Sequence, residues 1–366
     1  MRRANPPGLP VVVKIGSSSL TNDDGSLDGG AVERVAAQIA EVRSAGHPAV
    51  LVSSGAVAAG LPELGMDQRP ADLPGFQAAA AVGQGKLMER YSRTFATHGI
   101  VVGQVLLTRD VLARRDPYLH ARAALERMLE LGLVPIVNEN DSVAVEELKL
   151  GDNDRLAAIV SHLVQAGLLV ILTDTAGLYA QDPRLVEGAE LLSAVRHSDE
   201  VLDGLRSRTS AGDFGSGGVA TKVAAARMTA FSGIPTVVAG ADDPDAVRKA
   251  VAGEEVGTWV DPGAGRLSAR KLWIAFGLPA SGRVVIDDGA MRAVAAGGKS
   301  LLAVGITEVA GDFGRGDAVE VFSVGGDLVA KGLANLASDS MRAAIGRHTS
   351  MIGGAAIHRD DLVVLA

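Results

Sequence analysis

The sequence contains no cysteine. Disulfides, thiolate nucleophiles and Cys-ligated metals are therefore excluded, and a reducing compartment is compatible. No run of about 18 apolar residues occurs, which argues against a membrane-spanning helix. Arg2 and Arg3 lie near the start, but residues 1–10 hold no apolar stretch and do not read as a signal peptide. A cytoplasmic location is the expectation. There is no basic excess: 35 Lys and Arg stand against 43 Asp and Glu, a net charge of −8 that argues against a general nucleic-acid binder. The seven histidines are scattered without metal-ligand spacing. No Ser/His/Asp set and no obvious nucleophile is present. Aromatics make up only 3%.

What remains is aliphatic. Of the 366 residues, 47% are hydrophobic, with Ala, Val, Leu and Gly dominant, enough for a large core and a length that predicts two domains. Apolar runs at 11–15, 49–52, 100–107, 134–137, 168–173, 235–239 and 258–260 read as strands. Segments at 31–44, 73–98, 118–131, 152–165, 219–232 and 243–252 carry helical spacing. This alternation predicts an α/β fold with a parallel sheet covered on both faces. Residues 140–150 break the pattern and read as a hairpin or extended loop. After about Gly277 the texture changes to short strands at 283–286, 318–322 and 328–331 between Gly/Asp turns, a small, mostly β module. The expected domains are 9–262 and 280–366.

Polar residues collect at the strand ends. Asn138-Glu139-Asn140-Asp141-Ser142 follows the strand at 134–137, and Gly151-Asp152-Asn153-Asp154 opens the helix at 152–165. One Asx-rich cluster is an ordinary turn or cap; two dense ones ten residues apart at the carboxyl ends of strands point to a ligand site. Lys14 sits inside an aliphatic strand before Gly16-Ser17-Ser18. A buried lysine requires a carboxylate or an anionic ligand, unless it lies at an edge and snorkels. Ser53-Ser54-Gly55 ends the second strand and Thr173-Asp174 another. The segment from Gly212 to Lys222 is glycine-rich and runs into a helix. It reads as either a flexible loop or a phosphate cradle, and it lacks Walker A spacing. Donors at several strand ends, with carboxylates to organise lysines, fit phosphoryl transfer, which needs positioning and charge neutralisation above all.

In combination these motifs resemble the glutamate 5-kinase family. The matching stretches are Val12-Val13-Lys14-Ile15-Gly16-Ser17-Ser18, Val52-Ser53-Ser54-Gly55-Ala56, Gly103-Gln104-Val105-Leu106-Leu107-Thr108, Val137-Asn138-Glu139-Asn140-Asp141, Gly151-Asp152-Asn153-Asp154 and Gly217-Gly218-Val219-Ala220-Thr221-Lys222. They occur in the family's order, and residues 282–365 resemble a PUA domain. Mild departures are Ser17, where many members have Thr, and Val219-Ala220, where Met-Ser or Met-Ala is more usual.

The resemblance implies a three-layer α/β/α sandwich of the amino-acid-kinase type. It also implies ATP-dependent phosphorylation of the L-glutamate side-chain carboxylate, the first step of proline synthesis. Lys14 and Lys222 would then grip the transferring group, with Asp154 orienting both. Ser54, Gly55, Asp141, Asp152 and Asn153 would hold glutamate. Lys14, Thr173, Asp174, Ser216, Gly217, Gly218, Val219, Ala220, Thr221 and Lys222 would hold ATP, whose phosphates Mg²⁺ would bridge, with no dedicated metal ligands in the chain. Feedback inhibition by L-proline and a homodimer or homotetramer are further family expectations. A kinase acting on N-acetylglutamate is the rival within the same fold. An RNA-binding role for the tail is disfavoured, because residues 281–366 hold eight basic and ten acidic residues.

Overall fold

The computed structural model describes residues 2–22, 24–108, 114–143, 153–206, 218–262, 267–296, 298–347 and 354–365. The chain divides into two units, Met1–Arg266 and Leu267–Ala366.

The first unit is built on an eight-stranded sheet. Its strands are β1 (Val11–Ile15), β2 (Ala49–Ser53), β3 (Val102–Leu107), β4 (Val134–Glu139), β5 (Leu168–Thr173), β6 (Ala194–Arg196), β7 (Thr236–Gly240) and β8 (Thr258–Asp261), in the order β3-β4-β2-β1-β5-β7-β8-β6. From β3 to β7 every pairing is parallel. The sheet is mixed at one end, where β8 runs antiparallel to β7 and carries β6 with it. Hydrophobic content marked these strands but held no information on their direction, and the three-residue β6 was too short to stand out.

The central strands are aliphatic because both faces are covered. Val11, Val13 and Ile15 of β1 join the core beneath α1 (Gly29–Ser44), α3 (Leu73–Ala96) and α8 (Ala246–Ala252). Val12 and Lys14 alternate to the opposite face, which α5 (Asn153–Leu163) covers together with α7 (Val219–Ala230). Further helices among the described residues are α2 (Ala56–Gly60), α4 (Arg115–Glu130) and α6 (Val201–Arg206). Asp28 and Asp72 cap α1 and α3 by accepting from the backbone N–H groups of Gly30 and Gly75. Parallel strands with helices on both faces give the expected three layers. No helix among the described residues is long and apolar enough to cross a membrane.

The second unit is a five-stranded sheet in the order β10-β9-β11-β12-β13, made from β9 (Gly282–Ile286), β10 (Ile306–Gly311), β11 (Ala318–Ser323), β12 (Leu328–Leu333) and β13 (Leu362–Val364). Helices α9 (Ala269–Leu272), α10 (Asp288–Ala295) and α11 (Ser338–Ala343) accompany it. Val284, Ile286, Val319, Val321 and Leu362 form its core. Strands β10 and β13 and helices α10 and α11 were not read from the sequence: β13 has only three residues, and Gly or Ala interrupts the short patterns of the others. The loop expected at 140–150 lies mostly outside the described residues.

Candidate active site

Because β1, β2, β4, β5 and β7 are parallel, their carboxyl ends share one edge of the sheet. Ile15 stands level with Ser53 and with Leu172, and Thr173 with Gly240. The Ser54 N–H donates to the Ile15 carbonyl at 3.2 Å, holding the ends of β1 and β2 together. In such sheets ligands bind off this edge.

The edge carries a buried charge cluster. Lys14 is 2% exposed and Asp154 is fully buried. The Lys14 Nζ lies 2.6 Å from Asp154 Oδ1, and the Lys222 Nζ lies 3.6 Å from Oδ2. The Thr221 hydroxyl lies 3.0 Å from the same Oδ2. Asp154 is in the first turn of α5, where a carboxylate is favoured by the helix dipole. Lys222 and Thr221 are in the first turns of α7. Two helix N-termini and a strand end thus converge on one carboxylate. Buried ammonium groups require such a counter-charge, and ammonium groups gathered at helix N-termini suit an anionic ligand.

A second cluster surrounds Asn153, beside Asp154. Its side-chain amide lies within hydrogen-bond reach of the Ser54 hydroxyl at 2.8 Å, the Asn138 amide oxygen at 2.9 Å and the Ser53 carbonyl at 3.3 Å. Asn138 in turn donates to Gln84 Oε1 at 2.9 Å, and its own oxygen accepts from the Glu139 N–H at 2.9 Å. The ends of β2 and β4 are therefore tied to α3 and α5 through one polar network. The turn between β2 and α2 needs Gly55, whose φ of +100° is left-handed. Helices α2 and α3 then meet backbone to backbone, since a side chain at Gly60 or Gly83 would overlap main-chain atoms of the other helix. Behind Ser53, the Tyr91 hydroxyl lies 2.8 Å from its Oγ, and burial pushes the phenol well above its ordinary range.

Of the residues expected from sequence, Lys14, Asp154, Thr221 and Lys222 come together, as do Ser54, Gly55 and Asn153. Gly218 is the N-cap of α7, and Val219 and Ala220 form its first turn. Thr173 ends β5 next to β1. Its hydroxyl donates to Asp174 Oδ1 at 3.0 Å, and Asp174 Oδ2 pairs with Arg184 at 2.8 Å. Asp141 lies in the turn beyond β4. Asp152, Ser216 and Gly217 fall outside the described residues. Sequence reasoning did not single out Gln84 or Arg184: an isolated glutamine on an amphipathic helix and an arginine after Asp182-Pro183 carry no distinguishing pattern.

Comparison with known proteins adds the lineage. Residues 10–240 match the amino acid kinase family and residues 282–352 the PUA domain. A glutamate 5-kinase of a Marinomonas species is 45% identical over 97% of both chains. One from Streptomyces coelicolor is 46% identical, over 97% of this chain and 96% of its own. Among solved structures, the UMP kinase of Bacillus anthracis superposes with a TM-score of 0.50 at 16% identity, over 71% of this chain and 98% of that one. That likeness concerns the fold.

Proposed function

The chain belongs to the amino acid kinase family, in its glutamate 5-kinase branch with a PUA domain, and on that premise we propose how its residues perform ATP-dependent phosphorylation of the L-glutamate side-chain carboxylate, the step that opens proline biosynthesis. The observation that carries the reading is the Lys14–Asp154–Lys222 cluster at the sheet edge.

A glutamate side chain has a pKa near about 4.3, so it reaches the site as a carboxylate and needs no general base. One carboxylate oxygen forms a bond to the γ-phosphorus while the bond to the β,γ-bridging oxygen breaks. ADP and the acyl phosphate leave, and no proton is transferred. The obstacle is the approach of one anion to another. Lys14 and Lys222 lower it by holding positive charge on the transferring group, and Asp154 fixes both ammonium groups before substrate arrives. Preorganised charge of this kind costs no rearrangement during the reaction. Ser54, Gly55 and Asn153 line the glutamate side, with Asp141 and Asp152 suited to its ammonium group. Thr173, Asp174 and the segment from Ser216 to Lys222 take the nucleotide.

Mg²⁺ would enter with the nucleotide as part of the substrate and supply positive charge to its phosphates. No three His, Asp or Glu side chains gather among the described residues, and Asp154 is already held by two ammonium groups, so no step is assigned to a protein-held ion. The catalytic domain is assigned to 9–262 and the PUA-like domain to 280–366. A cytoplasmic location, inhibition by L-proline and homo-oligomerisation accompany the reading.

The test is hydroxamate formation from ATP, glutamate and hydroxylamine, with N-acetylglutamate in parallel. Wild type is expected to trap acyl phosphate from glutamate, and Lys222→Ala to lose it. Preference for the acetylated substrate, or no acyl phosphate at all, would overturn the assignment.

A further inference from the structure

The second unit contains a cavity of about 730 Å³, within the range of small-molecule sites. It lies between α10, the segment from Lys299 to Gly305 and the chain at His358-Arg359. We propose that this cavity binds a small amphipathic anion, its apolar body against Ala290, Ala293 and Val294 and its charged group at Lys299 and Arg359.

The walls are fixed before any ligand arrives. Leu301 and Ile357 exchange both backbone hydrogen bonds, at 2.9 and 3.2 Å, and the Ser300 hydroxyl accepts from the Arg359 N–H at 3.0 Å. On the other side the Asp287 N–H donates to the Gly305 carbonyl at 3.0 Å. Gly305 is packed so closely on α10 that a side chain there would collide with Ala290. Ala290 and Ala293 of α10 are small, which leaves room, while Val294 and Leu301 are buried in the core below. A rigid apolar recess needs little reorganisation on binding.

The charges give the ligand its sign. Asp287 is the only carboxylate lining the cavity among the described residues, and its Oδ1 is engaged in capping α10, accepting from the Ala290 N–H at 2.7 Å. Lys299 has no carboxylate partner among the described residues. Arg359 has only a long, exposed contact of 3.9 Å with Asp360. Two available cations at the mouth of an apolar recess complement one anionic group on an apolar body. They do not form the cationic track that a phosphate chain requires, and the unit is net acidic from residue 281 onward.

The full-length protein should be titrated with anilinonaphthalene sulfonate, and with neutral phenylnaphthylamine as comparator. Saturable binding of the sulfonate is expected, with methyl NMR shifts confined to Ala290, Ala293, Val294, Leu301, Leu302 and Val304. Ala293→Trp should abolish it by filling the recess. Lys299→Glu with Arg359→Glu should weaken the sulfonate roughly tenfold, the effect of losing two exposed charge contacts, and leave the neutral dye unchanged. Kinase turnover should persist in all variants, which separates this outcome from any failure of the catalytic assignment. Shifts scattered outside the cavity, or equal loss of both dyes on charge reversal, would overturn the proposal. So would tighter, Lys299-dependent binding of a single-stranded oligonucleotide. The NMR map on wild type decides the matter even if Ala293→Trp does not fold.

Discussion

Lys14 and Asp154 form a 2.6 Å ion pair in which neither side chain has appreciable contact with water. Such a pair is expensive to break, because removing one partner strands the other charge: about 3–5 kcal/mol is the usual cost. Asp154→Asn removes the counter-charge that two ammonium groups share, so both stability and turnover should fall, with kcat reduced by about 100-fold or more. Lys14→Ala should lower kcat far more than it raises the KM for glutamate, because its charge acts on the transferring group. Steady-state kinetics with a thermal melt checks both variants. Normal turnover with weakened glutamate binding in Lys14→Ala would contradict the assignment.

Gln84 should act on glutamate through its neighbours. It accepts from Asn138, which sets Asn153 and through it Ser54. Gln84→Ala removes an acceptor from a buried amide, worth about 1–3 kcal/mol. The KM for glutamate should therefore rise roughly tenfold, while the KM for ATP stays within about twofold. Equal effects on both substrates would make Gln84 merely structural.

The reach of the sequence is instructive in these same residues. Lys14 was conspicuous because a cation in a run of valines demands an explanation, and Asp154 because it opens a helix within an Asx-rich cluster. Their partnership with Lys222 crosses 208 residues, and no local pattern encodes it; the family resemblance alone suggested it. The central parallel strands were legible because burial on both faces makes them continuously aliphatic. The reversal at β8 was not, since direction leaves no mark on hydrophobic content. Gln84 was hidden for the opposite reason to Lys14: a polar residue on a surface helix is unremarkable until tertiary structure buries it.

His162 predicts a pH dependence of stability. It lies in α5, 8% exposed, with the Ser232 hydroxyl 2.5 Å from its Nδ1, and burial lowers its pKa from 6.5 to about 3. Below pH 6.5 the unfolded chain takes up a proton that the folded chain refuses. Stability is therefore complete above the unfolded pKa and declines as pH falls toward the folded one, at up to about 1.4 kcal/mol per pH unit. Between about pH 7 and 5, above most carboxylate titrations, the melting temperature of wild type should drop more steeply than that of His162→Gln. Parallel curves would show that His162 contributes nothing to the acid sensitivity.

The N-terminal segment, which carried no pattern of its own, is tied to the chain around β6, α8 and β8 of the first unit. The Arg2 guanidinium donates to the carbonyls of Ser193 at 2.7 Å, Glu254 at 3.0 Å and Gly257 at 3.1 Å, and the Asn5 N–H donates to the Val251 carbonyl at 2.8 Å. Ser193 leads into β6 and Gly257 into β8. The next residue, Thr258, accepts from the Leu178 N–H at 2.8 Å, four positions beyond Asp174. The segment thus braces the loop that follows Thr173-Asp174. Arg2→Ala removes charge-assisted hydrogen bonds that are partly open to solvent, an effect of about 1 kcal/mol or roughly fivefold in an equilibrium constant. The KM for ATP should rise by that factor, with the KM for glutamate and the affinity for a glutamate analogue unchanged. Arg2→Lys, which keeps the charge but loses the three-way fork, should recover only part of it. If Arg2→Ala lowers the melting temperature but leaves both KM values untouched, the segment is a stability device alone and its link to the nucleotide fails.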